Sequence, residues 1–178
     1  MNVIKFRPLT ESEIEVKVKQ VKENGLVALL YKTARTDMDL LDECVGAENW
    51  ANDYREIKDN LYCGIGIKNG DDWIWKWDCG IESREDGEGN EKKGEASDAF
   101  KRAGFRVGIG RALYSSPFIW IPAEKSNIKK NQSGKWACND KFKVEKIVYS
   151  EDEKRIVGLA IINATKKERC FVWQEQKN

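Results

Sequence analysis

Four cations in one stretch of the chain have the types and spacing to bind phosphate: Lys101, Arg102, Arg106 and Arg111. On a helix, residues four apart lie one above the other, so Arg102 and Arg106, with Lys101 beside them, make a compact ridge. That ridge lies off a stripe of small and apolar residues, Ala96, Ala99, Phe100, Ala103, Val107 and Gly110, whose spacing of three and four marks a buried face. Lysine and arginine so placed can hold phosphate oxygens. From charge alone, an ordinary solvated helix face is the default reading.

A second chemistry to weigh is a magnesium-dependent nuclease, built from Asp37, Asp39, Asp78, Glu82 and the run Glu91-Lys92-Lys93. Its signal is weak, because carboxylates at such spacings are commonplace where a third of the residues are charged. The chain has no histidine, which removes Ser-His-Asp and Cys-His catalysis and histidine metal sites. Its five cysteines include no C-x-x-C pair, so buried reduced thiols are expected rather than disulfides or zinc ligation. Gly108 and Gly110 lack the third glycine of a dinucleotide fingerprint, and there is no P-loop, so ATP-driven strand exchange is disfavoured.

At 178 residues the chain is expected to be one domain, able to bury roughly 70% of its unfolded surface without a disulfide or structural metal. Basic residues number 31 and acidic residues 30, which excludes a globally basic nucleic-acid binder. Local charge is segmented. Residues 37–59 are net −6 and 78–91 net −5, segments expected to avoid phosphates, whereas 92–111 are net +4 and 125–146 net +5. Such segregation suits a phosphate-binding groove or contact between identical subunits. No apolar run approaches the ~18 residues of a membrane span, and residues 1–9 lack a signal-peptide core, so a soluble cytosolic protein is expected.

The elements that must position the ridge follow from periodicity. Thr10-Glu11-Ser12-Glu13 has the form of a capping box, and Ile14, Val18 and Val21 follow at helical spacing, although the alternation Ile14, Val16, Val18 would equally suit a strand. Residues 26–34 read as a covered strand and 37–45 as a short acidic helix. Residues 51–57, 61–68 and 73–81 have connections short enough for an antiparallel meander. In its third strand Trp73, Trp75 and Trp77 share one face. That face is expected to pack under a helix, with at least two indoles buried, rather than to stack on bases. Residues 83–94 read as a polar, mobile loop and 91–114 as a long helix. Gly104, Gly108 and Gly110 within it imply a close backbone approach or an early bend. A short strand at 118–121, a basic loop at 125–135 and strands at 142–149, 155–164 and 169–174 complete the chain.

The string Lys93-Gly-Glu-Ala-Ser-Asp-Ala-Phe-Lys-Arg-Ala-Gly-Phe-Arg-Val-Gly-Ile-Gly-Arg-Ala-Leu-Tyr114, behind a polar loop and a tryptophan-rich strand, resembles the Rad-fifty-two superfamily of single-strand annealing proteins, particularly its phage recombinases. The resemblance runs from about residue 26 to 121. It implies an α+β fold: a curved antiparallel β-sheet in a β-β-β-α core, packed with one long helix, plus C-terminal strands, in a ring-forming subunit. The whole chain, 1–178, would then be one annealing domain, with the basic loop and C-terminal strands at 122–178.

The resemblance also assigns residues. Lys101 and Arg102 match the family's phosphate-contacting pair. Counting back from Trp50, Tyr31 falls where the family has an aromatic that approaches DNA. A family arginine expected four residues after the lysine falls here on Phe105, so its role would pass to Arg106 or Arg111. Lys92 and Lys93 fall near the second DNA groove of some members. The implied activity is non-enzymatic binding and annealing of single-stranded DNA in recombination and repair, with no cofactor. The implied partners are single-stranded DNA, further copies of the chain and a host single-strand binding protein, in a bacterial cytoplasm or nucleoid. A plain single-strand binding protein without annealing activity is the remaining alternative.

Overall fold

A computed structural model of the chain describes residues 4–81 and 91–176, apart from the side chains of Glu91 and Lys92. In chain order the described elements are β1 (Glu15–Lys22), β2 (Gly25–Tyr31), α1 (Ala34–Val45), β3 (Trp50–Ile57), β4 (Asn60–Asn69) and β5 (Asp72–Cys79). They continue with α2 (Glu91–Val107), β6 (Ile119–Pro122), β7 (Lys129–Lys130), β8 (Trp136–Ala137), β9 (Phe142–Tyr149), β10 (Ile156–Asn163) and β11 (Glu168–Gln174). Among the described residues the fold is α+β with a curved antiparallel sheet, two α-helices and C-terminal strands. Most of the expected polar loop at 83–94 lies outside the described residues.

Two compact units divide the chain: Lys32–Gly110 with the segment ending at Arg7, and Pro8–Tyr31 with everything from Arg111 on. In the first unit β3, β4 and β5 form the antiparallel meander that the turn signals led us to expect. Lys58 and Asp59, both at positive φ, make the two-residue turn from β3 to β4, the mirror-image type that suits strand twist. Cys63, Ile65 and Ile67 on one face of β4 are buried, as are Ala99, Phe100 and Ala103 on α2. Helix and sheet therefore join through the small-residue stripe.

Helix α1 is capped by Thr33, whose hydroxyl accepts the Thr36 N–H at 3.1 Å, and it buries Leu40 and Leu41. It lies close enough to α2 that a Cβ on Gly104 would sit 2.2 Å from Asp37 Oδ2. The glycine is thus explained by a neighbouring helix. Helix α2 stops at Val107, short of the expected Tyr114. Gly108, at φ +125°, and Ile109 both return their N–H groups to the Gly104 carbonyl, and a separate 3₁₀ turn covers Arg111–Ser115.

The second unit is built on a six-stranded antiparallel sheet in the order β11-β10-β9-β1-β2-β6. The expected N-terminal helix is absent there. The Thr10–Glu13 capping box forms, but it closes one 3₁₀ turn, Glu11–Glu13, and the alternating valines continue as β1. Alternation suits one half-covered sheet face, and pairing with β2 and β9 supplies the backbone partners. The basic loop folds back as the hairpin β7–β8, tied to the unit by Asp140, which accepts bonds from Asn127 and from the buried Asn163. Among the described residues no helix is long and apolar enough to cross a membrane.

Candidate nucleic-acid interface

The candidate interface is the part of α2 that lies outside its apolar stripe. Arg102 and Arg106, one turn apart, share the flank that meets β5, and Lys101 lies about 100° round the helix from Arg102. Each is met by an acid of the same unit. Arg106 Nε donates to Asp78 Oδ2 at 2.8 Å, and Arg102 Nε lies 3.4 Å from Asp78 Oδ1, within ion-pair reach but without a hydrogen bond. Lys101 Nζ is 3.7 Å from Asp98 Oδ1, and its side chain is only 19% exposed. Asp98 also accepts the Ile81 N–H at 3.1 Å, which ties the end of the meander to the helix.

Asp78 comes from a segment that its net charge led us to expect would stay clear of phosphates. The pairing register sets Asp78 opposite the buried Cys63, on the face of β5 that α2 covers. Burial pushes its carboxyl up, but the Arg106 hydrogen bond, the Cys79 N–H and the charges of both arginines outweigh burial and hold it below the ordinary aspartate value. The carboxylate is charged at neutral pH.

Beneath the ridge Lys32 enters from the end of β2. Its ammonium pairs with Asp37, donates to the Lys101 carbonyl at 3.0 Å and lies 4.1 Å from the Phe105 ring centroid. Phe105, standing where the family arginine was expected, thus packs on a buried cation. Lone charged groups do not stay buried unpartnered, so Lys32 inside the covered stretch 26–34 was the signal that could have found this pair.

The remaining expected residues are distributed as follows. Lys93 is exposed in the first turns of α2. Lys92 belongs to the same helix, and its side chain lies outside the described residues. Tyr31 and Arg111 belong to the second unit. Tyr31 is exposed at the end of β2, with Lys17 Nζ 5.2 Å from its ring centroid, and Arg111 is exposed at the start of the 3₁₀ turn. Trp50, the counting anchor, opens β3 one short 3₁₀ turn after α1; it donates to Asp42 at 2.6 Å and meets Phe100 edge-on.

The three tryptophans do not pack under a helix. Pairing of Gly64 with Trp77 and Gly66 with Trp75 puts the indoles on the face opposite α2. Trp73 and Trp75 are 40% and 37% exposed, and Trp77 is half-buried under the Arg55 guanidinium at 4.5 Å. The rings lie down on β4 because Gly64 and Gly66 carry no side chains; a Cβ at either would stand 2.5–2.6 Å from an indole. The expectation of two buried indoles is therefore corrected.

Among the described residues the carboxylates considered for magnesium are not assembled. Asp37 is in the buried pair, Asp78 is between arginines, and Glu82 and the Glu91 side chain lie outside the described residues. Among the described residues no group of three or more cysteines and acids is placed to hold a metal ion. All five cysteines are free, and burial pushes the Cys63 and Cys170 thiols up to about 11, which suits packing rather than reactivity.

Comparison with known proteins adds one finding. The family model for Rad52/22 family double-strand break repair proteins matches residues 7–134, more than half of the chain and all of α2 with its ridge. No curated protein and no solved structure matches.

Proposed function

Because the chain belongs to the Rad52/22 family of double-strand break repair proteins, we propose that it binds single-stranded DNA along α2 and anneals complementary strands, without catalysing a covalent step. The observation that carries this reading is the set of cations Lys101, Arg102 and Arg106 on one helix, outside its buried stripe and within the family-matched region. Phosphate contacts of this kind hold a strand whatever its sequence, and the bases are left to pair; specificity then comes from complementarity. Arg111, Tyr31, Lys92 and Lys93 are the further DNA contacts of this reading. The chain works as a homo-oligomeric ring of the phage-recombinase type, with both compact units serving one annealing function. Light scattering with and without DNA checks the assembly, and a monomer in both states removes the ring.

The test of the activity is incubation with two complementary oligonucleotides, with and without EDTA. Duplex formation in EDTA is the expected result. Magnesium-dependent fragments would replace this reading with the nuclease, and binding without faster duplex formation would reduce it to a single-strand binding protein.

A further inference from the structure

We propose that Asp78 is a built-in competitor of DNA phosphate for Arg102 and Arg106, and that it sets how firmly the ridge grips a single strand. This rests on the reading of α2 as the phosphate-binding element and deepens it. The carboxylate reaches both guanidinium groups, at 2.8 Å and 3.4 Å. It is the same kind of ligand as a phosphate, an anion offering oxygens to N–H donors. A strand that engages these arginines must share them with Asp78 or displace it.

The position of the carboxylate is fixed from below. Its side chain is 14% exposed, and its Oδ1 accepts the Cys79 N–H at 2.8 Å, so it does not follow the arginines outward when they turn to a ligand. Lys101 has a looser partner, Asp98 at 3.7 Å one turn earlier on its own helix. The acidic brake thus acts chiefly on the two arginines. An annealing protein must hold a strand and then let the paired product go. A resident carboxylate lowers the gain from each phosphate contact and reclaims the guanidinium groups when the strand leaves.

The experiment measures binding of a labelled oligothymidylate over a range of salt, and its release into excess unlabelled strand. The proteins are the full chain, Asp78→Asn and Asp78→Ser; both variants remove the charge and keep an acceptor for the Cys79 N–H. Each should bind about three- to tenfold more tightly, the range expected from losing two partly exposed ion pairs, and should release more slowly. The gain should vanish when Arg102 and Arg106 are both glutamine. Unchanged or weaker binding would overturn the proposal and make Asp78 a prop for the arginines, and a gain that survives without the arginines would overturn it as a general charge effect. Failure of the unmodified chain to bind is a different result: it defeats the phosphate-binding reading, and this proposal with it.

Discussion

Lys32 and Asp37 form an ion pair in which both side chains are sealed from solvent, and the same ammonium donates to the backbone carbonyl of Lys101. A cation buried at the end of β2 thus fastens α1 to the turn of α2 that carries the ridge. Asp37 Oδ1 has no hydrogen-bond partner, so the pair is not fully compensated for its loss of water. Lys32→Met, which strands the carboxylate, is expected to cost about 3–5 kcal/mol, whereas Lys32→Met with Asp37→Leu should recover much of that loss. Denaturant unfolding of the three proteins checks it.

The pair also has a pH signature. Burial raises the Asp37 carboxyl to about 6 and lowers the Lys32 ammonium to about 8. Below pH 6 the folded chain takes up a proton that the unfolded chain does not bind until near 3.8, so this group's contribution rises as pH falls. Above pH 8 the folded chain releases a proton that the unfolded chain keeps until near 10.5, so the contribution of Lys32 rises with pH. Relative to the Met/Leu double variant, the native chain should be least stable between pH 6 and 8. A stability difference that is flat with pH would contradict this.

Gly104→Ala pits two effects against each other. Alanine gains up to ~1 kcal/mol of helix propensity. The new methyl would stand 2.2 Å from a buried Asp37 oxygen, and such overpacking costs typically ~1–3 kcal/mol. The variant is therefore expected to melt at a lower temperature than the native chain.

Trp73→Ala should cost less than the ~3–5 kcal/mol of a buried tryptophan, because the ring is already 40% exposed. Trp50→Ala should cost more than Trp73→Ala, since it loses both the Asp42 hydrogen bond and the edge contact with Phe100. Thermal melts of the two variants rank them.

Local patterns were legible from the residues alone, and tertiary partnerships were not. The meander was readable because residues 51–57, 61–68 and 73–81 are bounded by tight turns. The ridge was readable because i, i+4 spacing is a property of one helix. At residues 14–21 valine spacing fits both periods, and the choice of strand comes from β2 and β9. The end of α2 was missed because the apolar period continues through Val107 and Gly110, while Gly108 turns the chain. Burial of the tryptophans was misjudged because alternation shows that three residues share a face without showing which face α2 covers. Asp78 was hidden for the same reason: it meets Arg106 from 28 residues away.

The measurement closest to the central claim is the salt dependence of single-strand binding by the native chain and by Lys101→Ala with Arg102→Ala. Each phosphate contact contributes about 0.7 to the slope of log affinity against log salt for single strands. The double variant, whose residues lie off the buried stripe, should stay folded, bind more weakly and lose about 1.4 from that slope if both contacts are made. A folded double variant with the affinity and slope of the native chain would contradict the assignment of α2 as the surface that holds DNA.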